Sequence, residues 1–296
     1  MDATRRLPRD IVDQVKAYAD GTRTPAEPRN ASTVVLLRDG ASAGPGSLEV
    51  YLLRRHVDMA FAAGMCVFPG GGVDPRDFDH EVDWVGPTPA QWAGLLGADE
   101  ALARALVCAA VRETFEESGV LFAGPTEDSV VADTTGPDWE EDRRRLEARE
   151  LSFTDFLAQR GLRLRSDLLR PWGSWLTPVF EPRRFRAWFF VAELPAGQVT
   201  RDVSTESDEV TWLPVHEAIT AVDAGDMLML PPTYCTCLEL YDATTPAEAL
   251  ASAERQDLVP VEPTAELDGD EAYLTIPDRL VALGEQVRTR MARAEP

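Results

Sequence analysis

The stretch AAVRETFEESGVLF, residues 109–122, places an arginine and three glutamates within six positions and then stops at a glycine. Glu113, Glu116 and Glu117 stand at i, i+3 and i+4, so on a helix they share one face. Like charges at that spacing repel by about a few tenths of a kcal/mol per pair. A divalent cation would offset the repulsion, because hard cations take carboxylate oxygens as ligands. A solvated acidic face is the plainer alternative, and the three carboxylates alone do not separate the two. Arg112, four positions before Glu116, is placed to hold that carboxylate in one rotamer.

Working outward, DEALARALVCAAVRETFEESG (99–119) is the strongest helical stretch of the chain. Ala and Leu dominate it, Asp99 is suited to cap its start, and Gly119 sits where a C-cap is wanted. Upstream, STVVLLRD (32–39) and LEVYLLRR (48–55) predict paired strands around a Gly-rich turn, and GMCVFPGGG (64–72) predicts a third short strand entering a glycine loop. A short helix is expected at 7–20, another near TPAQWAGLL, and one or two over 137–160. WGSWLTPVF and FRAWFFVAEL return to strand character. DEVTWLPVHEAITAVDAG reads as a strand running into a helix, and LPPTYCTCLELYDA as a helix started by proline. A helix near 246–256 and two short strands are expected to close the chain. Strands interspersed with helices indicate an α/β or α+β domain with insertions.

The 296 residues suffice for one elaborated domain or two small ones, and 44% hydrophobic with 27% charged residues is a globular composition. A net charge of −22 argues against general nucleic-acid binding, which needs a basic surface. No run of 18 apolar residues is present, so no membrane partner is expected. MDATRRLPRDIVDQ lacks the apolar core of a secretory signal, so the expected location is cytoplasmic. Cys66, Cys108, Cys235 and Cys237 show no C-x2-C spacing, and small buried residues are the favoured reading. Three scattered histidines carry no ligand spacing. The tryptophans Trp172, Trp175 and Trp188 read as core more readily than as base-stacking platforms.

The glycine loop together with RETFEESGV resembles the Nudix box, G-x5-E-x7-R-E-U-x-E-E-x-G-U with U bulky and apolar. Arg112, Glu113, Glu116, Glu117, Gly119 and Val120 match its second half, with Thr114 at the first U. Arg112 follows Gly71 by 41 positions where the compact motif needs 14, so about 27 residues are inserted. The motif's first glutamate should stand eight before the arginine, a position held by Arg104, and Asp74, Asp77 and Glu100 are candidates to replace it.

A split box resembles the peroxisomal-type coenzyme A diphosphatases. YLLRRHVDMAFAAGMCVFPGGGVDPRD (51–77), WLTPVFEPRRFRAWFFVAELP (175–195), SDEVTWLPVHEAI (207–219) and MLMLPPTYCTCLEL (227–240) extend the likeness over roughly residues 30–245. The related CoA motif is partly kept: Arg55, Gly64 and Phe68 to Gly71 fit, while its second arginine position holds Ala60.

The resemblance implies a Nudix α/β/α sandwich with a mixed sheet. An N-terminal helix and connector would occupy 1–30, the Nudix domain 31–245 with an insertion at about 73–98, and a C-terminal extension packed on it 246–296. It implies a diphosphatase using Mg²⁺ or Mn²⁺ held by Glu113, Glu116, Glu117 and the Gly71 carbonyl, with Arg112 in the catalytic set. The small-molecule substrate implied is coenzyme A or an acyl-CoA. Another diphosphate (a dinucleotide, ADP-ribose or a nucleotide sugar) and a catalytically silent ligand sensor are the alternatives. Arg54, Arg55, Arg183 and Arg184 are candidates for phosphate binding, since arginine meets phosphate bidentately. Glu206 and Glu209 are candidates for a further acid or ligand, and a homodimer is the family's common state.

Overall fold

A computed structural model describes residues 5–42, 44–57, 62–205, 207–254 and 258–294. Its elements in chain order are β1 (Arg5–Arg6), α1 (Arg9–Ala19), β2 (Arg29–Arg38), β3 (Glu49–Arg55), β4 (Cys66–Val67), β5 (Gly70–Gly72), a 3-10 turn (Pro75–Phe78), β6 (Trp84–Val85), α2 (Pro89–Leu96), α3 (Glu100–Ser118) and β7 (Ala123–Gly124). Then follow α4 (Pro137–Glu147), α5 (Phe153–Gln159), β8 (Arg163–Arg165), β9 (Arg170–Leu176), β10 (Phe185–Glu193), β11 (Ser207–Pro214), α6 (Val215–Ala224), α7 (Pro231–Leu240), α8 (Pro246–Ala253), β12 (Thr264–Asp268), β13 (Glu271–Thr275) and α9 (Asp278–Ala294).

The central sheet runs β11-β3-β2-β10-β9, with β4 on β3 and β5 on β2. β2 and β10 pair in parallel and their neighbours antiparallel, so the sheet is mixed. Val34, Val35, Leu36 and Leu37 of β2 are all fully buried, which an apolar run needs only when both faces of the sheet are covered. Val34 and Leu36 face a core with α2, α3 and α5, whereas Val35 and Leu37 face one with α6, α7, α8 and α9. This is a sheet between two helical layers.

α3 is enclosed almost all round, so its apolar residues need no single stripe. The Asp99 carboxylate accepts from the Leu102 amide at 2.8 Å, and Gly119 closes the helix at φ 75° with its amide on the Phe115 carbonyl.

The segment ahead of α3 is part of the core. Thr88 and Gln91 form a capping box for α2, whose Trp92 and Leu96 are buried in the same cluster as α3. β6 pairs in parallel with β8, which also carries β7. Trp172, Trp175 and Trp188 are core residues, and the four cysteines are buried and unpaired.

The chain departs from the sequence reading at its ends. It continues past β12 and β13 into the 17-residue α9. Leu280, Leu283, Val287 and Met291, three to four positions apart, pack that helix onto the second core. β1, not expected at all, pairs with β13 in a small sheet that α1 covers. Among the described residues no helix is long and apolar enough to cross a membrane.

Candidate active site

The site forms where the last two turns of α3 pass behind the Gly70–Gly72 strand. β5 is pinned to β2, with Gly71 opposite Ser32, and the loop before it by Val34 N–H donating to the Pro69 carbonyl at 2.8 Å. A Cβ on Gly71 would lie 2.5–2.6 Å from the Glu113 carboxylate. Glycine is required there by close approach and not by backbone twist. Next to it, the Gly70 amide donates to Glu117 Oε2 at 2.7 Å.

Arg112 is the hub. Its Nε and Nη2 donate to Asp77 Oδ1 and Oδ2 at 3.0 and 2.9 Å, a bidentate fork. Nη2 also reaches the Gly72 carbonyl at 3.0 Å, and Nη1 donates to Glu113 Oε1 at 2.6 Å and Glu116 Oε1 at 3.3 Å. The Arg112 and Glu116 side chains are each 10% exposed.

The sequence reading counted back from Arg112 and met Arg104, which instead lies over the Trp84 ring. Asp77 is the acid that faces Arg112. Counting forward from Gly71 by the motif's own spacing, six positions, lands on it. Asp74 is elsewhere engaged, capping the 3-10 turn and pairing with Arg76, and Glu100 is exposed in the first turn of α3.

The cluster carries excess negative charge. Burial, and then the adjacent Glu113 carboxylate, push the Glu116 carboxyl up to about 8 against the pull of Arg112. Among the described residues no three His, Cys, Asp or Glu side chains are gathered tightly enough to hold an ion between them. Arg112 Nη1 stands between Glu113 and Glu116 instead. The donor set is nonetheless all hard oxygen, under-neutralised, on one helix face beside a glycine strand, and it fits a small divalent cation.

The remaining expected residues are spread. Arg54 pairs with Glu209 at 3.0 Å across β3 and β11, both side chains at least half exposed. Arg55 ends β3, and Arg183 is exposed just before β10. Arg184 is turned inward, bonding the Thr177 and Ala26 carbonyls and Glu262 at 2.7–3.2 Å. Its guanidinium joins the β9–β10 connection to the segment before β12, which corrects the expectation that it meets a phosphate. Glu206 and Ala60 lie outside the described residues.

A family profile described as the NUDT19 Nudix domain matches residues 95–240. A solved structure of a Nudix hydrolase from Alicyclobacillus acidocaldarius superposes with a TM-score of 0.66 at 27% identity, over 79% of this chain and 99% of that one. Residues 95–240 belong to the Nudix family. Among curated Nudix relatives, acyl-coenzyme A diphosphatase NUDT19 of Xenopus laevis is 28% identical over 221 residues, 63% of this chain and 58% of that protein. The protein of the same name from Gallus gallus is 28% identical over 314 residues, 84% of this chain and 81% of that protein. The chain thus spans little more than half the length of the first of these relatives. The sheet between helical layers described above is the Nudix sandwich, and the glutamate-rich end of α3 is its Nudix helix.

Proposed function

We propose that this chain is a divalent-metal-dependent diphosphatase that hydrolyses a nucleoside diphosphate linked to another group, with coenzyme A or an acyl-CoA as substrate. The observation that carries the reading is the convergence of Glu113, Glu116 and Glu117 with the Gly70–Gly72 strand around Arg112. The names of the frog and chicken relatives favour the CoA substrate.

Glu113, Glu116 and Glu117 would hold Mg²⁺ or Mn²⁺, with the Gly71 carbonyl as a further oxygen donor. When bound, the cation supplies neutralisation of the diphosphate and lets water act as nucleophile near neutral pH. Arg112 fixes the Glu113 and Glu116 carboxylates, and the Gly70 amide fixes that of Glu117, so the donors are oriented before substrate arrives. Water oxygen attacks one phosphorus and the anhydride P–O bond breaks, giving phosphopantetheine (or its acyl form) and adenosine 3′,5′-bisphosphate. Arg54, Arg55 and Arg183 are the proposed phosphate contacts, and Glu209, paired with Arg54, a proposed further acid.

A second reading, another diphosphate substrate, is favoured by Ala60 at the second arginine position of the CoA motif. The silent-sensor alternative rests on the missing first glutamate of the box, the acid expected beside Arg112. Asp77 stands there, which favours the enzyme.

The test is a product assay by mass spectrometry. The protein with Mg²⁺ or Mn²⁺ is offered CoA, acetyl-CoA, NADH, ADP-ribose and a nucleotide sugar, beside Glu116→Gln. Adenosine 3′,5′-bisphosphate released by wild type alone supports the proposal. Cleavage of a different diphosphate removes the CoA substrate and keeps the reaction. Turnover of none, with metal bound, removes the enzyme.

A further inference from the structure

The C-terminal end of a helix leaves its last four carbonyls without intrahelical partners. In the Nudix helix α3 three of these carry known bonds. The Gly119 amide takes the Phe115 carbonyl and the Arg201 amide takes that of Ser118, each at 2.9 Å. The Glu116 carbonyl is taken by a side chain from another helix: Arg143 Nη1 of α4 donates to it at 2.7 Å. The main chain so held belongs to a residue whose carboxylate lies in the site.

Arg143 is itself over-determined. Its side chain is 3% exposed, and Glu140 and Glu147, on the same face of α4, bond it at 2.9 and 3.0 Å. The other Glu147 oxygen accepts from the Thr205 hydroxyl at 2.6 Å and its amide at 3.2 Å. Glu140 also accepts from Arg201 Nη1 at 2.9 Å, and Arg201 Nη2 reaches the Thr134 carbonyl. α4 is thereby a brace between the last turn of α3 and residues 201–205, the approach to β11. A cation at that helix end also complements the helix dipole.

We propose that Arg143 is a positioning residue of the active site, holding the last turn of α3 from behind so that the Glu116 and Glu117 carboxylates keep their aim. This rests on the metal-dependent reading given above. Arg112 and the Gly70 amide hold those two side chains from the front, but they cannot fix the backbone that carries them. A shift of about 1 Å in that backbone is enough to cost on the order of 10²-fold in turnover.

The variants are Arg143→Met, which removes the donor, and Arg143→Lys, which keeps one for the Glu116 carbonyl and loses the fork. Mn²⁺ affinity is read by electron paramagnetic resonance, amide exchange over residues 113–120 by mass spectrometry, and folding by thermal melt. Arg143→Met should bind Mn²⁺ roughly 10- to 100-fold more weakly. It should exchange faster at 116–120 with β2 and β10 still protected, and Arg143→Lys should recover most of both. A lowered melting temperature with unchanged Mn²⁺ affinity and unchanged exchange at 116–120 overturns the role and leaves Arg143 purely structural. If wild type binds no Mn²⁺, the metal reading itself fails, and exchange at 116–120 alone decides for or against the brace. If Arg143→Met does not fold, Arg143→Gln, which is too short to reach the Glu116 carbonyl in the same way, decides. A loss of about tenfold in Mn²⁺ affinity with faster exchange at 116–120 and a normal melt supports the role, and wild-type affinity with wild-type exchange overturns it.

Discussion

Asp77 and Arg112 lie side by side as a two-bond fork although 35 positions separate them in the chain. The Asp77 side chain is 1% exposed and that of Arg112 10%, so neither charge has water to fall back on. Stranding one member of a buried pair costs about 3–5 kcal/mol. Without Asp77, Arg112 keeps Glu113 and Glu116 but loses the partner of its Nε, so the cost should fall below that range. Asp77→Ala should lower the urea midpoint accordingly. Asp77→Glu, which restores the charge, should lose less, and unfolding curves of the two side by side check it.

Two of the three glycines of β5, Gly70 and Gly71, separate stability from activity. In Gly71→Ala the three atoms nearest the new methyl all belong to the end of the Glu113 side chain, which can swing aside. The variant should melt within about 1 kcal/mol of wild type and lose on the order of 10²-fold in turnover, since a displaced group costs that much. In Gly70→Ala the methyl would meet the Ser32 carbonyl oxygen at 2.4 Å and Thr33 Cα at 2.7 Å, both backbone of β2. That strain should cost roughly 1–3 kcal/mol of stability. Paired melts and assays distinguish the two.

Acid should protonate Asp74 after most surface carboxylates. Hydrogen bonds from Arg76 lower its carboxyl from 3.8 to about 2 against the opposing effect of burial. A group whose folded value is depressed contributes stability above its unfolded value and loses it as the pH falls toward the folded one. Asp74→Asn should therefore be less stable than wild type at pH 5 to 7, and the gap should close between about pH 4 and pH 2. Denaturation at several pH values reads it directly.

Arg149 ends α4 at φ 60°, with its own amide on the Leu146 carbonyl and the Glu150 amide on that of Arg145. This is a Schellman closure, which favours glycine at the left-handed position. The Arg149 side chain is 79% exposed and its contact with Asp74 is 3.9 Å, so little is lost with it. Arg149→Gly should stabilise by about 0.5–1 kcal/mol, with turnover unchanged. Thermal melts beside the product assay test both parts.

Much of the scaffold is legible because its signals are local. Asp99 and Gly119 bracket α3, apolar runs mark β2 and β3, and Thr88 opens α2. The partner of Arg112 was left open among Asp74, Asp77 and Glu100 because the count ran backwards through an insertion, although the forward count from Gly71 reaches Asp77. α9 was missed despite apolar residues at helical spacing, since its many charges masked them. β1 is two residues long and exists only through its pairing with β13, which no local pattern reports. Arg184 resembled Arg183 in sequence, yet burial sends one inward and leaves the other exposed. Residue type states a charge and not a direction. Arg143 carried no signal either, since its target is a main-chain carbonyl.

The core formed by α2, Trp92 and Leu96 has a consequence for how the protein comes to be active. The Asp77–Arg112 fork closes a loop of about 35 residues, and on entropy alone such a closure costs about 3 kcal/mol. That cost falls once the intervening chain has packed, because its ends are then delivered together. Arg112 therefore acquires its partner late in folding. Loosening α2 should part Asp77 from Arg112 at temperatures where β2 and β10 are still intact.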